Sequence, residues 1–484
     1  MKKSPVPQWV PIALLLALAA FLRLYELDSQ LWLDEVAALV SSYRKPFWEI
    51  LTKFPGVFPH PLYEQLAHGG LALFGESAFA IRLPAALAGV ASVFMFYRLS
   101  RRLSSEGEAL FGTALLTVSY HHIYFSQDAR GYTLYLFLAL AATNLFLAVL
   151  QKMRWQSALA YTAVASLAAY SQTAGLTLAL GQIAVGLVAI YAMPKLARRD
   201  SPKPLHLLGM LALTTLFVLL LYAPIIRDSL SYISKAPVNE RAVARSAHAF
   251  DLIVEFFKGS QSAFSNWLVF AGAVLVCAIG GCDFLRRNPV ALAVLIVPIL
   301  ISVAAMGAMG APVHPRYFLL ALIPAYLIGT RGLVLISRGL LRHFRKFTWL
   351  QPALAIGLVT LTALPLQSYY MMPKQDFLGA LRYVRTAASP GDRTTAADLA
   401  AHIYRVYYTP DLPGVENLSD LLHEEANGRV MWVITTFERI EARRRPDLLA
   451  RLRKNYQLVH LFPASTGDGE MRIYFRPASP PTPL

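Results

Sequence analysis

A chain of 484 residues that is 56% hydrophobic and 15% charged, with a mean hydropathy of +0.46, lies well off the balance of a soluble globular protein and points to a bilayer. A formal net charge of +16 would suggest a nucleic-acid partner in a soluble chain. Here the basic residues sit at the ends of apolar segments, so the charge is topological and nucleic acid is excluded as a partner.

Segments near the roughly 20 apolar residues that a helix needs to cross about 30 Å of hydrocarbon recur along the chain. They fall near 9–27, 80–97, 107–125, 131–150, 155–172, 174–192, 205–226, 263–281, 289–308, 317–337 and 350–368. The first is preceded by the basic pair Lys2-Lys3 and contains Ala17-Leu18-Ala19, a pattern shared with cleavable signal peptides. Its apolar run continues past that triplet into the next motif, which favours a retained helix. Every second connection is basic: Lys2/Lys3, Arg98/Arg101/Arg102, Lys152/Arg154, Lys195/Arg198/Arg199/Lys203, Arg286/Arg287 and Arg338/Arg342/Arg345/Lys346. The positive-inside tendency then predicts a multi-pass membrane protein. It would have about eleven spans, a cytoplasmic N-terminus, and everything after about residue 369 outside. Cys277 and Cys282 are five apart on one predicted helix, do not share a face, and predict no disulfide.

Three exterior segments are long enough to hold chemistry: 28–79, 227–262 and 369–484. In the first, "SQLWLDEVAALV" places Asp34 and Glu35 inside an apolar run, and "FPHPLYEQLAHGGLALFGES" repeats Leu62, Leu66, Leu71 and Phe74 at helical spacing. These stretches predict amphipathic helices lying along the outer interface. From about 374 the chain alternates polar helical stretches such as "RIEARRRPDLLARLRKNY" with the β-rich runs "RVMWVITTF", "YQLVHLF" and "MRIYF". That alternation predicts an α/β domain over 369–484 with an unstructured proline-rich end, beside a membrane domain over 1–368 that carries the 28–79 loop.

On this topology the remaining polar residues gather at one membrane face. Asp34 and Glu35 follow the first span, and His60 and Glu64 lie in the same loop. Asp128 and Arg130 fall in the short turn of "HHIYFSQDARGY", and His314 and Arg316 in "HPRY" before the tenth span. Charges near hydrocarbon cost about 2.5–3.5 kcal/mol each, so such a collection is by default a functional site. Plainer readings exist for each member. The two acids suit the first turn of an interfacial helix, the arginines can snorkel to headgroups, and His60 before Pro61 suits a structured loop. Convergence on one face favours function. The chemistry that fits is transfer from a phosphate-linked donor, with an acid to deprotonate the nucleophile and arginines to grip the departing phosphate in bidentate fashion. The sequence has no GxxxxGK[ST], HExxH or GxSxG motif, the best signals of an ATP-driven pump, a zinc protease and an esterase.

The combination of "LWLDE", "HPLY" followed by "LFGESAFAIRLPAALAGVASVFMFYRLSRRL", "YFSQDARGYTLYLFLAL" and "PRYFLLALIPAYLI" resembles the bacterial branch of the GT-C membrane glycosyltransferases, related to protein O-mannosyltransferases and the lipid A aminoarabinose transferase. The resemblance spans about residues 9–335. It implies a helical polytopic transferase that moves a sugar from a polyprenyl-phosphate donor to an extracytoplasmic glycan, lipid or protein acceptor, usually with inversion. It places such a protein in a bacterial inner membrane, and by position it implies Asp34 as the candidate catalytic base with Glu35 beside it; the phosphate grip then falls to Arg130 and Arg316, with Tyr317, on the chemistry given above. Asp128, His60 and Glu64 would be supporting residues or ligands of a divalent metal ion. Three positions depart from the family pattern. The proline pair after the polar residue at 60 is broken in His60-Pro61-Leu62. Asp128 stands where many relatives have Glu, and "YSQTAG" stands where relatives often carry a Thr-His pair. The competing readings are a lipid or solute carrier and a membrane-anchored scaffold.

Overall fold

The computed structural model describes residues 7, 9–54, 60–192, 201–235, 267–309, 315–341, 349–426 and 431–477. His314 and most of the 227–262 segment and the proline-rich end lie outside these residues. The chain divides into two compact units. One comprises Met1–Leu27, Pro46–Glu76 and Ala80–Leu364; the other comprises Asp28–Lys45, Ser77–Phe79 and Pro365–Leu484. The 28–79 loop, expected to belong wholly to the membrane part, is therefore split, and its acidic stretch packs with the C-terminal residues.

Among the described residues, eight helices are long and apolar enough to cross a membrane. They are Ala78–Leu103, Tyr132–Gln151, Ala174–Ala192, Pro204–Ser231, Trp267–Arg287, Pro289–Ala308, Arg316–Leu340 and Leu350–Met371. Leu268, Leu205 and Trp9 stay 85%, 77% and 66% exposed, as a lipid-facing surface requires. Three of the eleven expected spans differ. Trp9–Leu24 and Trp155–Ser171 are helices of 16 and 17 residues. The stretch near 107–125 breaks into Glu106–Thr117 and Tyr120–Ser126, because Ser119 turns out of the helix and its hydroxyl accepts from the His122 N–H as an N-cap.

The helix Pro61–Phe74 buries Pro61, Tyr63, Glu64, Ala67 and Gly70. Leu66, Leu73 and Phe74 are 42%, 78% and 55% exposed. Of the stripe read from the sequence, Leu66 and Phe74 are exposed while Leu62 and Leu71 are half-buried.

The second unit is built on a five-stranded sheet of order β2-β1-β3-β5-β4, from Arg393–Ala397 (β1), Gly414–Val415 (β2), Met431–Thr435 (β3), Gln457–Phe462 (β4) and Met471–Arg476 (β5). β1 pairs in parallel with β2 and β3, whereas β5 runs antiparallel to β3 and β4. All of β3 is buried, as expected for a central strand with both faces covered, and the edge strand β4 is largely exposed. Val433, Leu448, Leu452, Tyr456 and Tyr474 form part of its core. The three β-rich runs seen in the sequence are β3, β4 and β5. The predicted polar helix is two, Glu438–Arg444 and Pro446–Asn455, separated because Pro446 opens the second.

Candidate active site

In the helical unit the site is built around His60, which precedes the Pro61–Phe74 helix. Its backbone N–H donates to the Glu64 carboxylate at 3.0 Å, so Glu64 covers one of the first-turn amides that Pro61 leaves without an intrahelical partner. The ring is packed edge-on against Tyr132 at 5.0 Å, and Tyr132 in turn against Phe125 at 5.2 Å. His60 Nδ1 lies 3.1 Å from the Ser171 carbonyl oxygen. A carbonyl can only accept, so Nδ1 carries the proton and Nε2 is left as a lone-pair acceptor. Nε2 is buried with no hydrogen-bond partner among the described residues.

Burial, reinforced by the guanidinium of Arg130 and less by that of Arg316, holds the His60 imidazole down to about 3 against the pull of the Ser171 carbonyl. The histidine is neutral at physiological pH. The turn that carries Arg130 packs on His60, since a Cβ on the adjacent Gly131 would stand 2.9 Å from its Nδ1, and the positive charge of both arginines is felt at the ring. The Arg316 guanidinium lies 5.8 Å from the Tyr317 ring centre. Asp128 is buried, and its carbonyl accepts from the Arg130 N–H at 2.6 Å in a tight turn.

Gln127 fixes where that turn sits. Its amide donates to the carbonyls of Leu22, Arg23 and Tyr25 at 3.5, 3.2 and 2.6 Å, and Arg82 donates to Leu27 O at 2.9 Å. These two side chains satisfy carbonyls at the end of the first helix, where the chain would otherwise expose them.

In the second unit, Asp34 and Glu35 open the Leu33–Ala38 helix with Trp32 as N-cap. Glu35 is fully buried. Its carboxylate accepts from the Trp32 N–H at 3.4 Å and lies 3.9 Å from Lys374 Nζ, which is 5.8 Å from the Trp32 ring centre. Asp34 is half-buried. The approach to the helix is strapped to the start of the C-terminal segment. Gln30 donates to Asp376 at 2.8 Å and accepts from the Leu378 N–H at 3.1 Å. Tyr408 donates to Leu31 O at 2.5 Å, and the Leu33 N–H donates to Gln375 at 2.8 Å. Gln375, wholly buried, also donates to Thr436 at 2.9 Å. Trp32 has no side-chain acceptor, and Gln375 supplies the one the helix start lacks.

His60, Glu64, Asp128, Arg130, Arg316 and Tyr317 thus belong to the helical unit, and Asp34 and Glu35 to the other. Gln127, Gln375, Lys374 and Tyr408 escaped sequence reasoning. The polar triplet Lys374-Gln375-Asp376 directly after the last span is the one signal that marks three of the positions involved. Among the described residues, no three His, Cys, Asp or Glu side chains form a group able to hold a metal ion.

Residues 58–226 match the family described as dolichyl-phosphate-mannose-protein mannosyltransferase. The matched stretch includes both "HPLY" and "YFSQDARGY". The crystal structure of ArnT from Cupriavidus metallidurans bound to undecaprenyl phosphate is similar at a TM-score of 0.53 and 14% identity, over 98% of this chain and 100% of that one. The fold is that of the GT-C membrane glycosyltransferases. The apo form of the same ArnT gives a TM-score of 0.50 over 97% of this chain and 99% of that one. No significant match to a curated protein sequence is found. The likeness in fold at 14% identity covers 98% of this chain, whereas the sequence resemblance stops near residue 335.

Proposed function

We propose that the protein transfers a sugar from a polyprenyl-phosphate donor to an extracytoplasmic acceptor, with inversion at the anomeric carbon. The observation that carries the reading is the seating of the Arg130 turn on His60, where a Cβ on Gly131 would stand 2.9 Å from Nδ1, with the charge of Arg130 and Arg316 both felt at the ring. Two cations match the charge of a phosphate that goes from diester to monoester as the sugar leaves. A neutral His60 whose Nε2 accepts can take a hydrogen bond from a sugar hydroxyl. The dolichyl-phosphate-mannose family match and the undecaprenyl phosphate bound by ArnT support a lipid-phosphate donor.

In this mechanism the Asp34 carboxylate takes the proton of the acceptor nucleophile. The nucleophile bonds to the anomeric carbon as the bond from that carbon to the phosphate oxygen breaks. The electron pair leaves on polyprenyl phosphate, which Arg130 and Arg316 stabilise. Glu35, committed to the Trp32 N–H and Lys374, positions Asp34 instead of reacting. Asp128 and Glu64 support the Arg130 turn and the His60 backbone.

Transfer from polyprenyl-phosphate sugar in proteoliposomes tests the proposal. Asp34→Asn is expected to lose about 10²–10⁴ in rate, the usual worth of general-base assistance, with thermal stability kept. Arg316→Lys should also be impaired, since an ammonium cannot reproduce a two-point planar grip. Wild-type transfer by Asp34→Asn would refute the assignment. Substrate flux across the membrane without transfer would instead mark a carrier.

A further inference from the structure

Arg316 and Arg338 stand at opposite ends of the 25-residue span Arg316–Leu340, on the order of 35 Å apart. Around Arg338 lies a second polar constellation that the reaction does not use. Glu108, at the start of Glu106–Thr117, is buried and accepts from Arg331 on both oxygens at 2.8 and 3.0 Å and from Arg338 at 3.0 Å. Asp283, near the end of Trp267–Arg287, accepts from Arg331 at 2.8 Å and from Arg287 at 2.9 Å. Arg331 alone bridges both carboxylates and would suffice to staple the three helices. Arg287 and Arg338 are surplus to that staple. Each spends one nitrogen on an acid, and their side chains are 62% and 52% exposed.

They line a cavity of about 240 Å³ together with Ser104, Ser105 and Asn288. Beside it, sharing Asp283, runs a groove of about 410 Å³ lined by Ala278, Ile279, Cys282 and Leu335, with Arg286 at its mouth. The groove flanks the closest approach of the two helices, where a Cβ on Gly280 would overlap the Ile328 carbonyl and one on Gly332 the Val276 carbonyl. Four arginines against two carboxylates leave two positive charges in excess at this place. A hydroxyl- and guanidinium-lined cavity at the basic end of a bundle, continuous with an apolar groove between membrane helices, has the two chemistries of one molecule.

We infer that this is a binding site for an anionic glycerophospholipid, its phosphate held by Arg287 and Arg338 with Ser104, Ser105 and Asn288, and an acyl chain laid in the groove against Ile279 and Leu335. Basic pockets between transmembrane helices bind such headgroups because the guanidiniums meet a phosphate at the membrane surface without crossing hydrocarbon. The site serves the lipid of the surrounding leaflet and is separate from the residues proposed for transfer.

The test uses the full chain, delipidated in detergent and offered phosphatidylglycerol or phosphatidylcholine, with retained lipid counted by native mass spectrometry. Wild type should retain phosphatidylglycerol in preference. Arg287→Ala combined with Arg338→Ala, which leaves the Arg331 staple intact, should weaken that retention about tenfold or more. Leu335→Trp should weaken it too, by filling the groove with all arginines in place, and decides the matter if the arginine variant fails to fold. Glycerol 3-phosphate in solution should not displace the lipid. Equal retention of both lipids by wild type, or unchanged retention in Leu335→Trp, would overturn the inference. Displacement by glycerol 3-phosphate would refute a lipid site in favour of one for soluble phosphates.

Discussion

Gly131→Ala probes the packing that keeps His60 in place. Gly131 has φ −71° and ψ 9°, a conformation open to any residue, so the substitution carries no backbone penalty. The cost is steric. An added Cβ would stand 2.9 Å from His60 Nδ1, 3.0 Å from its Cβ and 3.1 Å from its Cγ. These are the root of the ring, with no flexible end to swing away. Either the ring shifts and gives up its 3.1 Å bond to Ser171, or the turn moves, and Gly131 O then loses the Ser171 hydroxyl at 3.2 Å. Overpacking of this kind costs about 1–3 kcal/mol. Unfolding in mixed SDS micelles should show that loss in Gly131→Ala. Combining it with His60→Ala, which removes the obstructing ring, should recover about 0.5–3 kcal/mol relative to the sum of the single effects. A Gly131→Ala protein as stable as wild type, or strictly additive changes in the double variant, would refute the packing argument.

Gln375→Ala strands the Leu33 N–H at the start of the acidic helix and should cost about 1–3 kcal/mol; hydrogen exchange over residues 30–38 should rise, and unchanged exchange would show the strap to be unimportant. Glu441 is buried and has Asp398 and Glu438 nearby, which together push its carboxyl up to about 8 from 4.5. Between those values the folded chain holds a proton that the unfolded chain releases, so this contribution is whole below about pH 4.5 and is lost as pH rises through 8. Glu441→Gln should therefore flatten the pH dependence of β3 amide protection and stabilise that unit at pH 8 by about 1–3 kcal/mol; a variant that tracks wild type from pH 5 to 8 would sink the assignment.

The membrane fold was legible because apolar length is a property of local composition, and the motif residues because charges in such a setting have few ordinary explanations. What was not legible depends on distant pairing. "RTTAA" carries no strong β pattern, yet it becomes β1 because Ala396 and Ala397 are small enough to be buried under the helices beside β3. The Pro61–Phe74 helix shows its apolar stripe plainly, but sequence does not say whether lipid or protein covers it. The break at Ser119 is written in a cap residue, though "TALLTVSYHHIYF" reads as one apolar run. Adjacent Asp34 and Glu35 are indistinguishable as letters. In the structure Glu35 is fully buried and taken up by Lys374 and the Trp32 N–H, whereas Asp34 is half-buried.

That division of labour has a kinetic consequence under the proposed mechanism. Asp34 is held by a strap of hydrogen bonds to residues more than 340 positions later, through Gln30 and Gln375. Arg130 and Arg316 are held beside a buried neutral histidine, with Gln127 anchoring the turn before Arg130. The first arrangement orients the base toward the acceptor, and the second matches the charge of the donor. Loosening the strap with Gln30→Ala or Gln375→Ala is therefore expected to lower turnover at saturating donor, whereas disturbing His60 raises the donor concentration needed for half-maximal rate. If both classes of variant changed the same kinetic parameter to the same extent, the assignment of separate tasks to these two groups of residues would fail.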